Sequence, residues 1–315
     1  MNILITGAAG NMGSLTARHL LPRGHNLRLL VHHAPLPLDL ALAQGAQTIR
    51  ADLAQPESLS DAVSGIEVVI HYAGVLFRPR PEQFLPRTNI GFVRNLVGAT
   101  LSAGVRKFVL VSFPQVEGET TPAHPAIGRL DAHPNSIHAQ TRLAAEQHLL
   151  ESARSTRMTP VILRAGVVYA RGLRLIEAAR GLMRRGLLAI WPDPTWYHML
   201  ALPDYLACLT RIVEDPPTAG VYLAADDEPM PVQAILDRLA RHWGYRRPLR
   251  LPRPAFTAAA AAVESVAGIF RLPAPLTRDV MRIAMASHVC DTRRMKSELL
   301  PQLQYPTIED GLVLV

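Results

Sequence analysis

The first residues able to do chemistry are Gly7, Gly10 and Gly13, within the run Asn2 to Gly13, NILITGAAGNMG. They follow at once on Ile3, Leu4, Ile5 and Thr6, which are apolar or β-prone. This order predicts a strand over 2–6, a tight turn, and a helix carrying Met12, Leu15, Thr16, His19 and Leu20. A helix begun in this way points unpaired backbone N–H groups at whatever lies over the turn, and its dipole favours a phosphate there. Gly7 permits the turn, Gly10 lets the backbone approach a pyrophosphate, and Gly13 lets the helix pack close to the sheet. The chemistry expected is the holding of a dinucleotide. A β–α turn without a ligand is the plainer alternative, and the strand before and helix after weigh against it.

Such a turn needs a sheet behind it. Strand patterns fall near 2–6, 27–31, 46–50, 67–71, 106–112 and 159–165, with helical patterns near 11–21, 36–44, 57–63, 84–103 and 138–157. Runs such as Val68-Val69-Ile70 and Phe108-Val109-Leu110-Val111 are continuously apolar, as suits parallel strands covered on both faces. The expected fold is α/β, a doubly wound parallel sheet of the Rossmann kind, with ligands at the carboxyl ends of the strands. After about residue 172 the rhythm changes. Helical patterns near 172–186, 204–214, 231–243, 255–270 and 276–286 dominate, with short strand candidates near 187–191 and 220–224. The division expected is a dinucleotide-binding domain over 1–171 and a smaller, mostly helical substrate lobe over 172–315, covering the open side of the nucleotide site, with interleaving of the second into the first left open. Within that lobe, Phe256 to Phe270 is nearly all small or apolar, with Glu264 its only charge. It reads as a helix buried against the sheet or a dimer partner, or else as an apolar lid or membrane-surface helix.

Composition narrows the classes. Of 315 residues, 49% are hydrophobic and 19% charged, so the chain can bury a core and is not disordered. The two cysteines, Cys208 and Cys290, form no CxxC or Cys/His cluster, so neither a metal site nor a disulfide framework is expected. A first strand beginning at residue 2 leaves no room for a signal peptide. No uncharged apolar stretch reaches about 18 residues, so no transmembrane span is expected and the cytoplasm is the default. The net charge of +7 invites a nucleic-acid reading. However, the arginines are scattered, with small clusters at Arg184–Arg185, Arg246–Arg247 and Arg293–Arg294, and no aromatic platform accompanies them. The partner expected is a small-molecule substrate, not nucleic acid.

Several further motifs follow in order. Ala51-Asp52-Leu53 closes the third strand, His71-Tyr72-Ala73-Gly74 the fourth, and Thr88-Asn89-Ile90 sits on the next helix. Arg164-Ala165-Gly166-Val167-Val168-Tyr169 follows the sixth strand, and Val221-Tyr222-Leu223-Ala224 comes later. In their order and spacing the chain resembles the extended short-chain dehydrogenase/reductase family, the NAD-dependent epimerase/dehydratase group, over nearly its whole length. The resemblance implies a nicotinamide dinucleotide held by Gly7, Gly10, Asn11, Met12 and Gly13. It places Asp52 and Leu53 at the adenine, and Tyr72, Ala73, Gly74, Asn89, Ala165 and Val168 along the cofactor. It also implies a homodimer built from the 84–103 and 138–157 helices.

The catalytic positions depart from the family pattern. Where the family has Tyr-x-x-x-Lys, this chain has His138-Ala139-Gln140-Thr141-Arg142, and Phe113 stands at the usual Ser/Thr with Ser112 one residue earlier. A tyrosine near pH 10 needs a neighbouring lysine to act at neutrality, whereas imidazole titrates near 6.5. His138 and Arg142, four apart, share a helix face, and the cation would hold the imidazole in its neutral form. Arg142 could also hold the nicotinamide ribose. The candidate catalytic set is therefore His138, Arg142 and Ser112. Strand alternation could turn Ser112 away. Tyr72 and Tyr169 are further candidates, with packing along the cofactor wall the plainer account of both.

The second strand ends Leu30-Val31-His32-His33, without the acid that would take a ribose 2′-hydroxyl. The cofactor expected is NAD or NADP, with a slight lean to NADP through His32. Three functions stay open. One is an oxidoreductase on a hydrophobic alcohol or ketone, suggested by an apolar lobe bearing Trp191 and Trp196. Another is a non-catalytic nucleotide-binding sensor or scaffold. The third is a nucleotide-sugar epimerase or dehydratase using Arg174, Arg180, Arg184 or Arg185.

Overall fold

A computed structural model describes all residues except Leu76, Phe77, Pro216, Arg271, Pro273 and Pro275. Seven parallel strands form the central sheet. They are β1 (Asn2–Thr6), β2 (Asn26–Val31), β3 (Ala46–Arg50), β4 (Val68–His71), β5 (Lys107–Ser112), β6 (Thr159–Ala165) and β7 (Gly220–Ala224). Their spatial order is β3-β2-β1-β4-β5-β6-β7. The chain winds outward from β1 in one direction and from β4 in the other, so the sheet has its switch point between these two strands. A crevice must open there at their carboxyl ends.

The apolar runs become strands because both faces are covered. Ile3, Ile5, Ile70 and Val109 point into one layer, packed with α1 (Asn11–Leu20) and later with α5 (Leu202–Glu214). Leu4, Val69, Phe108 and Leu110 point into the other, against α2 (Phe92–Ser102) and α3 (Ile137–Ala153). One-residue alternation along each strand thus separates the two cores.

The helix expected over 84–103 is interrupted. Pro81–Leu85 is α-helical, Pro86–Gly91 opens into a wider π-helical turn, and α2 resumes at Phe92. Proline at 86 has no N–H to donate four residues back, so the regular ladder fails there.

The second half of the chain does not stay apart from the sheet. It provides β7 against β6, and α5 covers part of one face. The remainder forms a lobe of α4 (Arg174–Arg184), α6 (Val232–His242), α7 (Arg253–Phe270) and α8 (Arg278–Met285), with short strand pairs between them. The apolar stretch 256–270 lies within α7, which packs through Ala260 and Phe256 onto Ile190, Trp191 and Met281 of the lobe. It does not lie against the central sheet, which corrects that expectation. Alanine-rich helices bury little area per residue, and the bulkier side chains of α5, such as Tyr205 and Leu209, already pack on the sheet.

Candidate active site

The glycine turn sits at the switch point. Gly7 has φ +68°, and a Cβ there would stand 2.9 Å from the amide nitrogen of Ala73, at the end of β4. Gly10 opens α1 with an extended backbone, no side chain caps the helix, and its own N–H donates to the Gly7 carbonyl at 2.8 Å. The N–H groups of Asn11, Met12 and Gly13 are therefore the unpaired donors of the first turn. A Cβ on Gly13 would overlap the Gly7 carbonyl oxygen. Gly13 is thus dictated by the turn itself, not by approach to the sheet.

A cleft of about 360 Å3 opens over this turn, lined by Gly7, Gly10, His32, Asp52, Leu53, Tyr72, Ala73 and Gly74. At its far end the His32 ring packs on His33 at a 40° tilt, centroids 3.6 Å apart, and Nε2 lies 3.8 Å from an Asp52 carboxylate oxygen. An acid missing from the end of β2 is therefore present from the end of β3. Asn11 turns its side chain toward the lobe, where it accepts from the Arg174 N–H and donates to the Gly172 carbonyl. This brings Arg174 into the cleft wall, a placement the glycine motif alone did not signal. The Tyr72 hydroxyl bonds to Thr16 and Tyr205, at 2.6 and 2.7 Å, and burial pushes it up to about 12. Tyr72 is wall, not acid or base.

α3 carries both His138 and Arg142. It is started by Ser136, whose hydroxyl accepts from Ala139 N–H at 3.0 Å. Asp279 of α8 reaches across to accept from the backbone N–H groups of Ile137 (2.8 Å) and His138 (3.2 Å). One turn in, Arg142 is buried, and its Nε and Nη1 have no hydrogen-bond partner. Its Nη2 would lie 3.6 Å from a Cβ on Gly74, and Asn89 Oδ1, also unpartnered, 3.9 Å from the same point. Asn89 is held there by donating to the Thr141 hydroxyl at 2.8 Å. A buried cation and a buried carbonyl oxygen without partners, converging beside the glycine turn, fit the hydroxyls of a bound ribose. The fit of a dinucleotide thus rests on three features: the cradle that a Cβ would fill, the free donors of α1, and this pair.

His138 faces a second cleft of about 380 Å3, lined largely by apolar side chains such as Phe84, Phe113, Val167, Val280 and Ile283. The two clefts share Val75. The His138 ring stacks flat on Phe113, centroids 5.0 Å apart and planes 6° apart. Burial, and then Arg142, lower its pKa to about 3. The direction agrees with the effect expected of the cation, but desolvation is the larger cause. The ring is a neutral hydrogen-bonding group and a weak base, which corrects a titration near 6.5.

Ser112 is elsewhere. Its hydroxyl donates to Glu146, inside a buried network where Arg164 pairs with Glu146 and Glu117, each at 2.6 Å. Alternation along β5 turns it away from the cleft, which corrects its expected catalytic place. Ala165 lines the apolar cleft, whereas Val168 and Met12 pack into the core and offer the cleft no side chain. Tyr169 is fully buried against Gly311 and is likewise packing. Trp191 is a core residue that donates to Thr195, and Tyr197 joins Phe84 and Phe113 as an aromatic side chain lining the cleft. Tyr197, Asp279 and His288 line the cleft but belong to lobe segments with no spacing motif. The sole sequence hint was the helical pattern near 276–286.

The sequence profile of the NAD dependent epimerase/dehydratase family matches residues 3–193. A 2-alkyl-3-oxoalkanoate reductase of Stenotrophomonas maltophilia is 27% identical over 76% of this chain and 74% of its own length. A 4-hydroxy-2-methyl-3-oxo-4-farnesyl-3,4-dihydroquinoline-1-oxide ketoreductase of Stigmatella aurantiaca is 25% identical over 90% of this chain and 86% of its own. The Bordetella bronchiseptica enzyme WbmG in complex with NAD superposes with a TM-score of 0.75 at 20% identity, over 100% of this chain and 93% of that one. At that identity the likeness is one of fold.

Proposed function

The chain belongs to the NAD dependent epimerase/dehydratase family, and from that premise we propose that it is a nicotinamide-dependent oxidoreductase acting on a hydrophobic alcohol or ketone. The observation that carries this is His138, neutral and flat against Phe113, in the wall of an apolar cleft that meets the nucleotide cleft. The two relatives named above are, by their names, a reductase of an alkyl-bearing oxoalkanoate and a ketoreductase of a farnesyl-bearing quinoline oxide, which supports the same class.

Bound nicotinamide would supply or take up the hydride at the reacting carbon. The protein's part is electrostatic and steric. Arg142 and Asn89 would hold the ribose through their unpartnered polar atoms. A neutral imidazole N–H at His138 donates to the substrate oxygen, and Arg142 beneath it stabilises the negative charge that grows there. The His138 N–H stays on the ring and stabilises the growing alkoxide, which takes its proton from water at the cleft mouth, the hydroxide left being neutralised by solvent. Phe113 and the apolar walls exclude water from the reacting carbon and strengthen both interactions.

Asp52 beside His32 argues for NAD over NADP, because a carboxylate 3.8 Å from the histidine opposes a 2′-phosphate. A nucleotide-sugar substrate finds few polar partners in the second cleft, and Arg180 lies over the Trp243 ring at 5.7 Å. The test is a fluorescence titration with NADH and NADPH, then turnover with a panel of apolar ketones. Tight NADH binding with turnover abolished in His138→Ala supports the proposal. Tight binding with no turnover on any ketone favours a sensor or scaffold, and turnover unchanged in His138→Ala overturns the role of the histidine.

A further inference from the structure

The apolar cleft holds two polar atoms that the proposed reaction does not use. Of its polar lining residues, Tyr197 spends its hydroxyl on the Ala284 carbonyl at 2.7 Å, and Asp279 spends both oxygens on the start of α3. Gln115 and His288 line the same cleft. Gln115 Oε1 and His288 Nε2 are buried and have no hydrogen-bond partner among the described residues, and the histidine as a whole is only 1% exposed. Such atoms are rare in folded proteins, because each forfeits the bonds that water would give it.

The backbone brings the two to one stretch of wall. Gln115 sits on the short turn Pro114–Glu117, two residues on from Phe113, the ring that backs His138. The His288 N–H donates to the Trp196 carbonyl at 2.8 Å, and its ring lies against that of Tyr197, centroids 4.1 Å apart. The segments that follow and precede them are tied together. Thr120 N–H donates to the Ser287 carbonyl at 2.9 Å, and Val289 N–H to the Thr120 hydroxyl at 2.8 Å. His288 Nδ1 faces the Ala286 carbonyl at 3.4 Å, which can only accept, so the proton sits on Nδ1 and Nε2 presents a lone pair. Burial, which lowers its pKa to about 4, keeps the ring in this neutral form. An amide oxygen and an imidazole lone pair are both acceptors, and what both lack is a donor.

We propose that Gln115 and His288 form a second polar subsite of the substrate cleft, taking hydroxyl or N–H groups of the substrate away from its reacting carbon. The substrate class is thereby narrowed from any apolar ketone or alcohol to one whose skeleton carries hydrogen-bond donors beyond the reacting oxygen. A single hydroxyl satisfies one of the two acceptors, and a pair of hydroxyls both. Water can serve them while the cleft is empty. A substrate hydroxyl that displaces this water keeps the bonding, whereas a methylene in its place strands it. The inference rests on the reading of this cleft as the substrate site.

The probes are cyclohexanone, 2-decalone and 2-dodecanone, each beside counterparts bearing one or two hydroxyls at the carbons away from the carbonyl. Binding is measured by calorimetry on the full-length protein loaded with oxidised NAD, where a ketone cannot be reduced, and turnover by oxidation of NADH. The best hydroxylated member is expected to bind about tenfold or more tightly than its parent, with the same ratio in kcat/KM. Gln115→Leu and His288→Phe, each close in volume to the residue replaced, should bring the hydroxylated member down to its parent. Melting temperature checks that each variant folds, and either variant alone carries the test. A wild type without preference anywhere in the panel, or a preference that survives in a folded variant of each residue, overturns the proposal and leaves both atoms to water. Preference in binding without turnover of any ketone removes the redox reading and keeps the subsite. Turnover without preference does the reverse, and absence of all ketone binding removes both.

Discussion

At the scale of the residue, the proposed function turns on His138. Its imidazole is held near a pKa of about 3 by burial and by Arg142, so the neutral form is present throughout the neutral range. In the proposed reaction the neutral form is the active one, so activity is expected to be lost only as pH falls toward that value. A pH–rate profile is expected to show no limb near 6.5 from this group, a measurement that separates it from an exposed catalytic histidine. His138→Ala should lower kcat by about 10²-fold while leaving NADH affinity within a few-fold, read by steady-state kinetics beside a fluorescence titration. The other decisive residue is Asp52. Replacing it by asparagine removes the carboxylate beside His32, and NADPH is expected to gain several-fold in affinity relative to NADH.

At the scale of the element, α3 is held at its start by a residue of another helix. Asp279 accepts from two N–H groups of its first turn, so Asp279→Ala should destabilise the protein by about 1–2 kcal/mol in chemical denaturation. Asp279→Asn keeps one acceptor and should recover much of that. This contact was not legible in the sequence, because Ile137 and Asp279 are brought together by tertiary packing that no local pattern encodes. The strands were legible. Runs such as Val68–Ile70 and Phe108–Val111 are apolar without interruption because both faces are covered, and that cause is written in the composition of each run. The glycine turn was legible for the same local reason. The pKa of His138 was not, since spacing reveals Arg142 as a neighbour but says nothing of the desolvation that dominates. The π-helical turn at Pro86–Gly91 was signalled by its proline, yet the helical periodicity on either side obscured it.

At the scale of the whole molecule, buried titratable groups set the pH range of stability. His71 and His138 are lowered to about 3, and His198 and His288 to about 4, in each case chiefly by burial. Unfolded histidine titrates near about 6.5, so the unfolded chain binds more protons below that value. Stability is full above about pH 6.5 and is lost as pH falls toward the folded values. Asp226 acts in the opposite sense. Burial raises it to about 8, and its contribution declines as pH rises from about 4 to that value. Four groups outweigh one, and melting temperature is expected to drop between about pH 6.5 and 4 in a calorimetric series. The return of the chain to the sheet at β7 has a further consequence. Residues between β6 and β7 form an excursion whose two ends are anchored in the same sheet, so the lobe cannot be removed by cutting after residue 171 without leaving β6 unpaired along one side. Such a fragment would carry an open, apolar strand edge and should aggregate, whereas a nick in a loop within the excursion should leave both pieces associated. Inheritance of the two regions as separable modules is thereby discouraged by topology alone.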